Sequence, residues 1–177
     1  MTTPPILGFA AYSGVGKTTL LTQLIPLLRE QGLRIGLIKH AHHDFDIDTP
    51  GKDSYELRKA GAERVLIASS RRWALMTETP AQPEANLSDL IARLDNERLD
   101  LILVEGFRHE AFAKIELHRP RLQHPLLCMQ DKHIIAVATD AELHVPLPIP
   151  VLDLNNPTTI AAFIQSEILD RTQTPSA

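Results

Sequence analysis

Cysteine is almost absent: the 177 residues contain one, Cys128, so no disulfide can close within the chain. A lone cysteine reads as a small buried hydrophobe. Long apolar runs are missing too, and the opening stretch "MTTPPILGFAAYSG" carries no basic leader. Neither a membrane span nor a secretory signal is expected, and a reducing cytoplasm is the expected compartment. Positive charge is not in excess either, with 18 Lys and Arg against 22 Asp and Glu. Nucleic acid, whose nonspecific binding needs a strong positive field, is therefore not an expected partner. No repeat, coiled coil or linker interrupts the chain, and 44% hydrophobic content is ordinary for one core. Residues 1–170 are expected to form a single domain, followed by a frayed tail over 171–177.

What is present alternates between strand and helix. Residues 6–11 form a short apolar run that breaks at "YSGVGKTT", after which Leu20, Leu21, Leu24, Leu27 and Leu28 recur at helical spacing. Pro26, which lacks an N–H, is expected to bend or locally break this helix, and Gly32 to end it. Residues 34–40 read as a second strand. "DSYELRKAG" reads as a short helix, capped by Asp53 or Ser54 and closed by Gly61. "RVLIASSRRWALMTE" sets two β-rich runs around residues 69–71, the pattern of an antiparallel hairpin. Residues 87–94 suit a helix, and "LDLILV" (99–104) a strand covered on both faces that stops at Glu105-Gly106. "KIELHR" alternates like a half-exposed strand and "IIAVAT" reads as a buried one. "VLDL" then leads through Asn156-Pro157, a cap and first-turn pair, into a last helix reaching residue 169.

The strongest motif is "AYSGVGKT", Ala11 to Thr18, a phosphate-binding loop with Ala11 in place of the usual first glycine. Gly14 and Gly16 let backbone N–H groups turn inward around phosphate oxygens. Lys17 reaches the β- and γ-phosphates, and the Thr18 hydroxyl takes one position on Mg²⁺. The following helix points its positive end at the same anion. Strand before and amphipathic helix after are the context this motif requires, which predicts a P-loop NTPase three-layer α/β fold, its central sheet mostly parallel and extended by the antiparallel hairpin. Such a site needs a carboxylate for the magnesium shell, normally at the end of a buried strand. Glu105 has that strand. Asp48-Thr49-Pro50-Gly51 mimics the D-x-x-G switch of small GTPases but has no long apolar strand before it, so Glu105 is the preferred ligand.

Residues 39–54, "KHAHHDFDIDTPGKDS", gather His40, His42 and His43 with Asp44, Asp46, Asp48 and Asp53. The tract leaves the second strand at its carboxyl end, the sheet edge that also carries the phosphate loop. Asp44, Asp46 or Asp48 is thus a candidate to reach the γ-phosphate, the magnesium water shell or the attacking water, as switch segments do. A transition-metal site and a merely solvated loop are the other two readings.

Taken together, "AYSGVGKTTLL", "GLIKHAHHDFDIDTPGKDSYELRKAGA", "RWALMTETP" and "LDLILVEGFRHE" resemble the MobB family, adaptor proteins of molybdopterin-guanine dinucleotide biosynthesis. The likeness covers residues 6–117 and then weakens to "HIIAVATD" and "VLDLNN". It implies a dimeric protein that binds GTP with Mg²⁺, hydrolyses it slowly, and assists the nucleotidyltransferase MobA in attaching GMP to molybdopterin. It also implies that Ser13, Gly14, Val15, Gly16, Lys17, Thr18 and Thr19 contact phosphates and that Glu105 lies at the magnesium site. No N-K-x-D signature for guanine is present. Asp140 in "ATD", after a buried strand, is the candidate carboxylate for the base, or else a loop-capping residue. Arg58, Lys52, Arg71, Arg72 and Arg108 are candidate phosphate cations, or solvated charges. A small-molecule kinase, a metal-delivery GTPase using the His/Asp tract, and a dimerisation module pairing through the hairpin are the rival functions.

Overall fold

The computed structural model describes residues 3–41, 45–79, 85–94 and 98–173. Along the chain come β1 (Ile6–Ala10), α1 (Lys17–Glu30), β2 (Ile35–Lys39), α2 (Asp53–Lys59), β3 (Arg64–Ala68), β4 (Trp73–Thr77) and α3 (Leu87–Arg93). Then follow β5 (Leu101–Glu105), β6 (Lys114–His118), β7 (Ile134–Thr139), β8 (Val151–Asp153) and α4 (Pro157–Ile164), which continues through a wider turn at Gln165–Leu169 into α5 (Asp170–Gln173). Contacts divide the chain into two compact units, Met1–His40 with Leu87–Ala177, and Ala41–Asn86.

In the larger unit six parallel strands lie in the order β2-β5-β1-β6-β7-β8. Period-2 geometry explains why the first four residues of "LILVE" are all apolar. Leu101 and Leu103 face a cluster containing Leu20, Leu24 and Leu28 of α1 and Ile160 and Ile164 of α4. Ile102 and Val104 point the other way, to Ile38 of β2 and Leu87 of α3. These four apolar side chains are fully buried, as the uninterrupted run predicts. Helices therefore cover both faces, and every strand ends on one edge. In the smaller unit β3 and β4 pair antiparallel, Leu66 opposite Leu75, which is the expected hairpin.

Several local expectations are corrected. Helix α1 runs unbroken through Pro26. Pro26 and Thr22 lie on its exposed side, where the carbonyl that loses its N–H partner can be hydrated. Strand β6 is wholly buried rather than half exposed, because β1 and β7 flank it and its polar side chains have partners. Lys114, 1% exposed, donates to Asp131 Oδ2 at 2.9 Å and to the Glu110 carbonyl at 2.6 Å. Glu116, also 1% exposed, accepts the Leu127 and Cys128 N–H groups, each at 2.8 Å. Cys128 is only half buried, and its thiol is pushed up to about 11 by desolvation and then by the Glu116 carboxylate. The N-cap of α2 is Lys52, and Ser54 instead donates its hydroxyl to Asp48 at 3.0 Å. Asn156 caps α4 by position without a side-chain bond, with Pro157 in the first turn as expected. Of the tail expected to fray, residues 171–173 are helical, and 174–177 lie outside the described residues. Among the described residues no helix is long and apolar enough to cross a membrane.

Candidate functional site

The loop from β1 to α1 is built by its glycines. Gly14 (φ 78°) and Gly16 (φ 108°) occupy the left-handed region that a side chain disfavours. Gly16 is also the N-cap of α1 and offers no side chain to the first-turn N–H groups, which leaves these donors for an exogenous anion. Val15 anchors the loop in the core, while Ser13, Gly14, Thr18 and Thr19 are exposed. A Cβ built on Gly14 meets no atom within 4 Å, so the mouth of the loop is open. Lys17 folds back across it, its ammonium 3.1 Å from the Ala11 carbonyl. Desolvation chiefly lowers the Lys17 pKa, opposed by Glu105 and reinforced by Lys39. An anion placed here would restore the charge-stabilising partner that burial removes.

Glu105 ends β5 beside this loop, in register with Phe9 of β1 on one side and Lys39 of β2 on the other. Lys39 Nζ stands 3.1 Å from its carboxylate. The chain then turns through Gly106 (φ 96°) and Phe107 (φ 51°), a non-glycine in the left-handed region. Such a conformation costs about 1–3 kcal/mol and persists only where neighbours enforce it. Here His40 enforces it. Its N–H donates to the Glu105 carbonyl at 2.8 Å and its ring stacks on Phe107 with centroids 4.7 Å apart. A Cβ on Gly106 would fall 2.5 Å from that of His40. The donors gathered at this edge are a carboxylate, a hydroxyl at Thr18, an ammonium and helix N–H groups. Hard oxygen ligands beside anion-binding donors fit a magnesium-bound polyphosphate.

Two further residues border the loop. Arg119, just past β6, donates Nε to the Val15 carbonyl at 2.7 Å and Nη1 to Asp140 at 2.5 Å. Tyr12 of the loop stacks on His124, centroids 4.4 Å apart. The sequence reading did not single out Lys39 or Arg119 as site residues. Each is a basic residue at the carboxyl end of a parallel strand, the position where such sheets bind ligands, and that rule is the signal that would have found them.

His42, His43 and Asp44 lie outside the described residues. In the smaller unit Asp46 accepts the Asp48 N–H at 3.1 Å and Arg58 Nη2 at 2.5 Å, while Asp48 accepts the Thr49 N–H at 2.9 Å. Arg58, largely buried, also holds Glu78 at 2.6 Å and has Tyr55 beneath its guanidinium. Asp46 and Asp48 thus brace their own loop. Lys52 lies at the start of α2, Arg71 and Arg72 form the hairpin turn around the Ser69 hydroxyl, and Arg108 donates to His109 at 3.2 Å. Among the described residues no group of three or more His, Cys, Asp or Glu side chains is arranged to hold a metal ion.

Comparison with known proteins gives a family. The model for MobB, molybdopterin guanine dinucleotide synthesis protein B, matches residues 6–140. The molybdopterin-guanine dinucleotide biosynthesis adapter protein of Escherichia coli K12 is 56% identical over 161 residues, covering 90% of this chain and 91% of that protein. Its counterpart in Haemophilus influenzae is 43% identical, covering 92% and 88%. A crystal structure of molybdopterin-guanine biosynthesis protein B superposes with a TM-score of 0.69 at 29% identity, covering 91% of this chain and 98% of that one. The three-layer α/β fold of P-loop NTPases expected from the sequence is the fold observed.

Proposed function

We propose, from the fact that this chain belongs to the MobB family, that it is an adapter of molybdopterin-guanine dinucleotide biosynthesis that binds GTP and Mg²⁺ at the loop after β1. It hydrolyses GTP weakly and acts as a homodimer beside the nucleotidyltransferase MobA. The observation that carries the reading is the pairing of an open glycine loop and its desolvated Lys17 with Glu105 on the adjacent strand end. Ser13 to Thr19 line the phosphates, with Lys17 on the terminal ones. Thr18 and Glu105 hold the metal, whose charge offsets that of the phosphate oxygens. Asp44, Asp46 and Asp48 are the candidates for orienting water, and Asp140 supports nucleotide binding.

Glu105→Gln tests the metal assignment. Magnesium-dependent GTP binding should fall about tenfold, the loss of one charge-assisted contact, while metal-free binding stays near wild type. Calorimetry with and without Mg²⁺ reads both, and an unchanged magnesium dependence would move the role to Asp44, Asp46 or Asp48. The partner assignment has its own check. Tagged protein loaded with a nonhydrolysable GTP analogue should retain the nucleotidyltransferase from a cytoplasmic extract, and recovery at background level with and without nucleotide would refute the adapter contact.

A further inference from the structure

Three neighbouring strand ends converge on one arginine. Strand β6 lies between β1 and β7, and Arg119 follows it directly. Its guanidinium reaches forward to the phosphate loop after β1, at the Val15 carbonyl, and sideways to Asp140 after β7. Its Nη2 lies 3.6 Å from where a Cβ of Gly16 would stand, so the planar group rests against the loop itself. The Arg119 side chain is only 20% exposed and that of Asp140 15%. A partly desolvated, charge-assisted pair of this kind is a strong orienting contact.

The consequence for the loop comes from peptide planarity. In the Val15–Gly16 peptide the C=O and N–H point in opposite directions. Holding the Val15 carbonyl outward on Arg119 Nε therefore aims the Gly16 N–H the other way, as a loop that binds anions through its backbone requires. Asp140 in turn fixes the guanidinium. An aspartate that reads guanine must offer its oxygens to two base donors, yet here Oδ2 takes Arg119 at 2.5 Å, with Arg121 Nε a further cation at 4.0 Å. We infer that Arg119 and Asp140 form a clasp that sets the conformation of the phosphate loop, with Asp140 acting through Arg119 as a positioning residue and not as the reader of the base. The inference rests on the nucleotide reading above and assigns the specificity of Asp140 to phosphate, not purine.

Nucleotide selectivity separates the two roles. Dissociation constants for GTP, XTP and ATP with Mg²⁺ should be measured on the full chain and on Asp140→Asn, Arg119→Ala, Arg119→Lys and the Asp140→Asn/Arg119→Ala double variant. Each single variant should weaken all three nucleotides by the same factor, about tenfold, leaving their order unchanged. Lysine should not rescue, because one ammonium cannot bond in both directions. The double variant should bind within about twofold of Arg119→Ala, since one residue acts through the other. A switch of Asp140→Asn toward XTP, losses that multiply, or wild-type affinity in folded variants would each overturn the clasp. Arg119→Lys keeps the charge and the packing and so covers the case in which alanine unfolds the chain. Should the wild type bind no nucleotide, the nucleotide reading falls and takes the clasp with it. A wild type that binds, with unaffected variants, removes the clasp alone.

Discussion

Lys17→Ala should lower GTP affinity about thirty- to a hundredfold, the equivalent of about 2–3 kcal/mol for a charged hydrogen-bonding partner of phosphate. The ammonium sits at the loop mouth, already desolvated and bonded to the Ala11 carbonyl at 3.1 Å, so it is aimed before any ligand arrives. Preorganisation of this kind means that little side-chain entropy is lost on binding. The fold should survive, because the same desolvation makes the unliganded ammonium a minor stabiliser at best. Calorimetry with GTP, beside a thermal melt, distinguishes lost contact from lost structure. Wild-type affinity in a folded Lys17→Ala protein would remove the phosphate-loop assignment altogether.

How much of this was legible in the sequence depended on how local each cause is. The loop was legible because its glycines answer to their own φ angles and its context is the strand and helix on either side. Strand β5 was legible because two buried faces demand an unbroken apolar run. The polar side chains of β6 misled for a physical reason: Lys114, Glu116 and His118 alternate with Ile115 and Leu117 just as a solvated face would. Only the tertiary partners Asp131, Leu127 and Cys128 decide that the charges of Lys114 and Glu116 are inside. Arg119 binding Val15 spans 104 residues, a pairing no local pattern encodes. The expected cap of α2 failed while Asn156 held its place before α4, since Ser54 has the chemistry of a cap but lies inside the helix and spends its hydroxyl on Asp48.

The buried charge of β6 also sets the largest expected effect on stability. Lys114→Met keeps the apolar stem but deletes the ammonium, which lies over the Phe112 ring and which Asp131 and the Glu110 carbonyl share. Removing one partner of a buried pair costs about 3–5 kcal/mol, and the partial exposure of Asp131 brings this to about 2–4 kcal/mol because its carboxylate can recover some water. For a chain of this size that is a fall in melting temperature of about 5–15 °C. The pH dependence identifies the cause. Desolvation pushes the Asp131 carboxyl up, but hydrogen bonds from Lys114 and the His133 N–H outweigh it and hold the folded value below the ordinary range. A depressed carboxyl stabilises the fold above its unfolded value, about pH 4, and that contribution is lost as pH falls through the folded value. Lys114→Met lacks most of it at every pH, so the gap between the two melting temperatures should be widest near neutrality and narrow below about pH 4. A gap that stays constant from pH 7 to pH 3 would assign the loss to packing around the stem and not to the ion pair.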